Sequence, residues 1–143
     1  MPEMPRTKIW HLPVPDQETE AYWEATREGR LLIKRCTACG ETFFYPRTYC
    51  PRCWSPDTEW IEASGRGTVY TFTVVHQNDL PPFNERLPYV VAIVELEEGV
   101  RMTSNIEGID PENVRCDMPV VVAFRDEARA EDDVVSLPVF RPA

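Results

Sequence analysis

The sequence predicts a mainly β protein, and three observations predict it. Two Cys-x-x-Cys pairs, Cys36/Cys39 and Cys50/Cys53, stand ten residues apart. Beyond Gly67, five runs rich in Val, Ile, Thr, Phe and Tyr follow one another at short intervals. Ahead of the cysteines lies one stretch with helical spacing, and it is short. The expected order is an N-terminal arm and helical segment over 1–30, a metal-clamped ribbon over 31–63 and a five-stranded barrel over 64–143.

Residues 1–15 hold four prolines, Pro2, Pro5, Pro13 and Pro15, and read as an extended arm. Asp16 suits a helix N-cap, Glu18 and Glu20 suit a first turn, and Thr19, Tyr22, Trp23 and Thr26 fall on one side at helical spacing. Gly29 supplies the stop. A helix this short is not stable alone, so Tyr22 and Trp23 are expected to dock on another element. Leu31 to Arg35 leads as a strand into the first cysteine pair, Glu41 to Tyr45 leads away as its hairpin partner, and Thr58 to Glu62 returns. The turn Ser64-Gly65-Arg66-Gly67 marks the expected boundary.

The later runs cover roughly 67–76, 88–97, 99–106, 118–125 and 133–140. In the first, Val69, Thr71, Thr73 and Val75 are expected on one face and Tyr70, Phe72 and Val74 on the other. Glu98-Gly99 is a hairpin signal between the second and third. Asp110-Pro111-Glu112-Asn113 reads as an N-cap followed by proline at the first helical position. Five strands with a helix between the third and fourth is the order of an OB-fold, a partly open Greek-key barrel. The acidic stretch Asp126 to Asp133 reads as a solvated loop.

The spacing Cys36-Thr37-Ala38-Cys39-Gly40, then Cys50-Pro51-Arg52-Cys53, is the sharpest motif. Two residues between cysteines let one tight turn aim both sulfurs at a single ion, and Gly40 follows where the backbone must turn. Four thiolates complete a tetrahedral shell and leave no open position, so the metal is expected to be structural zinc. Iron is the competitor, because paired turns of this kind also describe rubredoxin, whose red colour separates the two metals. Cys116 stands apart and reads as a small, partly buried hydrophobe.

Composition narrows the function classes. The chain has 143 residues and a net charge of −9. From Arg27 to Arg66, seven basic residues face five acidic ones, whereas residues 67–143 carry six basic and fourteen acidic. A polyanion is repelled by most of this surface, which weighs against a nucleic-acid-binding ribbon and barrel. No apolar run approaches the roughly 20 residues of a membrane span, and no export signal is evident, so a cytoplasmic protein with reduced thiols is expected. The two histidines, His11 and His76, permit few acid–base arrangements, and no nucleophile elbow, phosphate-cradling loop or dinucleotide fingerprint occurs. His76 opens the longest irregular segment, 76–88, a length that is often functional. Phe43, Phe44 and Tyr45, with Arg47 and Tyr49, form either the ribbon's own core or a surface that stacks on a nucleotide and pairs with its phosphates.

Across nearly its whole length the chain resembles the bacterial and archaeal proteins first catalogued as domain of unknown function 35. The residues that carry the resemblance are Tyr22-Trp23 with Gly29 and Leu31, Cys-Thr-Ala-Cys-Gly, Tyr45-Pro46-Arg47, Cys-Pro-Arg-Cys, the run from Gly65 to Thr73, Pro88 to Ala92 and Leu96 to Arg101. The resemblance implies a rubredoxin-like zinc ribbon ahead of an OB-fold, and a non-catalytic accessory subunit that supports the acyl-CoA site of a thiolase-superfamily enzyme. Related pairs act in acetoacetyl-CoA and hydroxymethylglutaryl-CoA synthesis, polyketide-type acyl transfer and retro-aldol cleavage of steroid side-chain CoA thioesters. An enoyl-CoA hydratase partner, if one takes part, is expected to be a separate chain. In that setting Lys34, Arg35, Phe44, Arg47, Arg52 and His76 are the expected contacts to coenzyme A or the partner. A nucleic-acid module and a rubredoxin-like electron carrier are the alternatives.

Overall fold

The computed structural model describes residues 12–130 and 133–143, leaving aside the side chains of 129 and 130. Most of the proline arm, with Pro2, Pro5 and His11, lies outside the described residues.

Helix α1 spans Glu20–Arg27, beginning later than Asp16 suggests. Asp16 Oδ1 accepts from the backbone N–H of Glu18 and Thr19 and from the Thr19 hydroxyl, each at 3.0 Å. It therefore caps a preceding turn, and Thr19 takes the N-cap position. Gly29 ends the helix at φ 76°, donating its N–H to Thr26 O at 3.1 Å. The buried stripe is Tyr22, Trp23, Ala25 and Thr26, and it packs on the last strand of the chain.

Strands β1 (Leu32–Cys36), β2 (Thr42–Phe43) and β3 (Thr58–Glu62) form an antiparallel sheet in the order β2-β1-β3. Strands β4 (Arg66–Val75), β5 (Tyr89–Leu96), β6 (Arg101–Ile106), β7 (Pro119–Ala130) and β8 (Asp133–Pro142) close a barrel in the order β4-β5-β6-β8-β7. This is the OB-fold topology expected above. Closure between β6 and β8 rests on one parallel backbone pair, Ile106 with Phe140.

Four expectations are corrected. Strand β4 does not alternate throughout: Val69 pairs with Val94 and Thr71 with Ile93, so Tyr70 is an extra, bulged residue. The bulge reverses the phase, placing Val69 in the core before it and Phe72 and Val74 against the core after it. The segment after Asp110 forms a single 3-10 turn, Pro111–Asn113, although Asp110 does cap it through Glu112 N–H at 3.0 Å. Within the acidic stretch, 126–130 and Asp133 are strand rather than loop, because β7 and β8 pair there, and 131–132 lie outside the described residues. Glu127 on β7 is buried, and its Oε1 lies 2.7 Å from Arg86 Nη2 and 3.0 Å from Arg125 Nε. Cys116 is exposed rather than partly buried.

One core joins the helix, the base of the ribbon and the barrel. Tyr22, Leu31 and Ile33 pack into the same cluster as Val69, Val90, Val94, Val120 and Phe140. The metal end of the ribbon has only Cys36, Phe43 and Cys50 for a core of its own. The segment 76–88 contains a 3-10 turn, Phe83–Glu85, and Arg86 just beyond it ties the segment to β7 through Glu127. No helix among the described residues is long and apolar enough to cross a membrane.

Candidate metal centre

The ribbon brings its two cysteine pairs together as two turns of the same design. Cys36 donates its N–H to Glu41 O at 2.8 Å and accepts Gly40 N–H at 2.9 Å; Cys50 donates to Ser55 O at 3.0 Å and accepts Trp54 N–H at 2.9 Å. The residue after each pair sits in the left-handed region, Gly40 at φ 79° and Trp54 at φ 64°. Glycine adopts this geometry freely, whereas a residue with a Cβ gives up about 1–2 kcal/mol. Trp54 is nevertheless 77% exposed.

Four sulfurs converge between these turns. A tetrahedron with metal–sulfur bonds of about 2.3 Å has edges of about 3.8 Å. Cys36 Sγ lies 3.5 Å from Cys53 Sγ and Cys39 Sγ lies 3.7 Å from Cys50 Sγ, and all four sulfurs fall within 4.8 Å of one another. Backbone N–H groups support the set, Cys39 N–H toward Cys36 Sγ at 3.5 Å and Arg52 N–H toward Cys50 Sγ at 3.4 Å. Crowding splits the acidities. At Cys50 desolvation opposes ionisation, but the N–H groups of Cys53 and Arg52 outweigh it and bring the thiol down to about 7. At Cys53 the Ser55 N–H favours the thiolate, yet desolvation and the three neighbouring sulfurs push the thiol up to about 12. A divalent cation relieves this competition, because each sulfur then donates to the ion instead of contesting a proton. The donor set, its spacing and its supporting N–H groups fit a closed, four-coordinate metal site.

The residues expected to meet coenzyme A do not form one free cationic cluster. Lys34 is buried on β1, its Nζ 3.2 Å from Thr58 Oγ1 and 4.7 Å from the centre of the Trp60 ring; burial lowers its pKa. Arg35 points to the opposite face of β1 and pairs with Glu59, its Nε 2.8 Å from Oε1. Arg52 pairs with Glu41 at 3.0 Å. Arg47 lies 3.9 Å from Glu18 and 5.2 Å from the centre of the Tyr45 ring. Phe44 joins an aromatic cluster, its ring 5.6 Å from Tyr22 and 5.4 Å from Tyr45. His76 is exposed beyond β4, beside a hollow of about 280 Å³ shared with Asp110 and Glu112.

Two further cavities escaped the sequence reading. One, of about 350 Å³, lies between the 83–89 segment and the end of β6; another, of about 280 Å³, lies between α1, Phe44, Tyr45 and the β6–β8 seam. Asn105 and Arg125 line both. Their walls come from segments far apart in sequence, so no local motif marks them. Trp54 did carry a signal, as the tryptophan standing where the first turn has glycine.

Residues 23–59 match the family described as "ChsH2, rubredoxin-like zinc ribbon domain", and residues 60–125 match "ChsH2, C-terminal OB-fold domain". The chain is 44% identical over 124 residues to a "Probable enoyl-CoA hydratase alpha subunit" of Thermomonospora curvata, covering 86% of this chain but only 37% of that relative. It is 42% identical over 115 residues to a "DUF35 domain-containing scaffold protein" of Methanocaldococcus jannaschii, covering 79% of this chain and 81% of the relative. It is 33% identical over 97 residues to "Benzoylsuccinyl-CoA thiolase subunit BbsA" of Thauera aromatica, covering 66% of this chain and 65% of that subunit. Among solved structures, a chain of the "Ltp2-ChsH2(DUF35) aldolase" superposes with a TM-score of 0.78 at 40% identity, over 92% of this chain and 98% of the other.

Proposed function

The chain belongs to the DUF35 family of zinc-ribbon and OB-fold proteins, and from that premise we propose that it is a non-catalytic accessory subunit of a thiolase-superfamily enzyme that acts on acyl-CoA thioesters. The observation that carries this reading is the closed sulfur set: four cysteines satisfy a tetrahedral ion and leave no position for substrate. Its likeness to a scaffold protein, a thiolase subunit and a chain of an aldolase supports it from outside the chain.

In this reading Cys36, Cys39, Cys50 and Cys53 hold zinc. The ion supplies structural cross-linking and no step of the reaction. The ribbon's own core of three residues is too small to fix its two turns by packing. The barrel supplies a rigid base through the core it shares with β1 and α1. Arg47 and Arg52, exposed on the ribbon, Phe44, half-buried at the hollow between α1 and the β6–β8 seam, and His76, at the head of the 76–88 segment, are the proposed contacts to the partner or to coenzyme A. Lys34 and Arg35 act from β1, where Lys34 would require the cover of Trp60 to open. Acyl transfer, thiolysis and retro-aldol cleavage are the reactions such a partner would perform.

Co-expression with a thiolase-fold enzyme from the same organism tests the proposal. The expected result is a hetero-oligomer of fixed stoichiometry whose turnover of a CoA thioester depends on both chains. A chain that remains alone at micromolar concentration and leaves that turnover unchanged would overturn the reading.

A further inference from the structure

The two turns of the ribbon are built alike except at one position. Gly40 and Trp54 follow the second cysteine of each pair, make the same backbone hydrogen bond at 2.9 Å and share a positive φ. The first turn uses the residue for which that geometry is free. The second spends it on the largest side chain and then leaves that side chain in solvent, 77% exposed. The other described tryptophans behave differently, since Trp23 is in the core and Trp60 packs against it. Tyr49, 56% exposed, stands on the opposite limb of the same turn, beside the Cys50–Ser55 backbone bond. An unfavourable backbone state that presents an aromatic residue instead of burying it points to a contact made elsewhere.

We propose that Trp54, flanked by Tyr49, is the anchor by which the ribbon docks on the thiolase-fold partner, filling an apolar pocket of that subunit. This inference rests on the accessory-subunit reading above and names the surface it uses. Trp, Tyr and Arg dominate the energetics of protein interfaces, and this turn offers all three. Residues 46–56 contain Arg47 and Arg52, with side chains 58% and 69% exposed, the first 3.9 Å from Glu18 and the second 3.0 Å from Glu41. These surface pairs are weak, and both guanidinium groups can exchange them for acceptors on the rim of the partner's pocket. With a net charge of −9, the chain is a poor match for nucleic acid or an anionic bilayer as the occupant. The Cys50–Cys53 turn that precedes Trp54, bonded to it through Cys50 O, holds its backbone before the partner arrives, so little ordering entropy is lost on docking.

The test measures affinity for the purified thiolase-fold enzyme used in that co-expression, by calorimetry, with the wild type, Trp54→Gly, Trp54→Ala and Tyr49→Ala. Both Trp54 variants are expected to weaken association at least about tenfold. Trp54→Gly should keep its metal and melt no lower than the wild type, because glycine accepts the local φ, whereas a packing role would lower the melting temperature. Undiminished affinity in Trp54→Gly overturns the anchor and leaves the accessory role standing. Self-association of the wild type that Trp54→Gly abolishes, with affinity for the enzyme unchanged, assigns the patch to a second copy and also overturns it. A wild-type chain that does not bind the enzyme at all removes the accessory reading and the anchor together.

Discussion

Glu18 and Thr48 tie the turn ahead of the helix to the approach of the second cysteine pair. Glu18 Oε1 accepts the backbone N–H of Thr48 at 3.0 Å and its hydroxyl at 2.6 Å. These bonds, led by the hydroxyl, hold the Glu18 carboxyl below its ordinary value. A depressed carboxylate contributes stability above its unfolded pKa and loses it as pH falls through the folded one. Thermal melts of wild type and Glu18→Gln should therefore differ near neutrality and converge below about pH 4. A difference that persisted unchanged in acid would show that the carboxylate is not the group responsible.

Removing one ligand should unmake the ribbon without touching a chemical step. Cys39→Ser is expected to lower metal affinity by more than the ~10–100-fold that follows loss of an outer-shell partner. Metal content and melting temperature should fall together. Zinc-loaded wild type should be colourless, and a red protein would identify iron. A Cys39→Ser complex that assembled, kept its metal and yet failed to turn over would contradict a purely structural ion.

Glu127 forms ion pairs with both Arg86 and Arg125, and its loss frees the Arg86 guanidinium from this anchor while Arg125 keeps its bond to Glu107. Glu127→Ala should cost about 1–3 kcal/mol, measured by urea unfolding. Because Arg86 belongs to the irregular segment, hydrogen exchange across 76–88 should accelerate while β5 stays protected. Equal acceleration throughout the barrel would mean that the pair stabilises the fold at large.

Gly67 allows two strands to approach. A Cβ there would lie 2.4 Å from the Glu95 carbonyl oxygen, a backbone atom that cannot move without disturbing the β4–β5 ladder. Gly67→Ala should destabilise by about 1–3 kcal/mol or more. Gly40→Ala, where nothing lies within 4 Å, should cost only the backbone preference. A smaller loss at Gly67 than at Gly40 would refute the close approach as the cause.

Legibility in the sequence followed the range of the interactions. The four cysteines were readable because each pair closes over two intervening residues, and β3 was readable to its ends because a turn signal bounds it. Tyr22 and Trp23 announced a docked helix, but not that β8, more than a hundred residues away, receives it. The bulge at Tyr70 was invisible, since a run of β-formers alternates perfectly well on paper until its partner strand sets the register. The acidic stretch looked solvated because its charges are dense, and only Arg86, from another loop, reveals why Glu127 is inside. The cations near the metal were assigned a ligand to meet, whereas Glu59 and Glu41 already stand beside Arg35 and Arg52.

The packing of α1 against β8 sets a condition on how the molecule is made. Arg27 donates to Val134 O at 2.9 Å, and the buried side of α1 lies against β8, a strand that follows it by more than a hundred residues. Before β8 is made, the closest contacts of the helix among the described residues are β1 and the rings of Phe44 and Tyr45. Until then the β6–β8 seam is also unmade, since Phe140 supplies its single backbone pair. The barrel therefore stays open until β8 is available. Its lock and the support of α1 arrive together with one strand, and a chain truncated before β8 would leave the side of α1 that faces this strand bare to whatever chaperone is waiting.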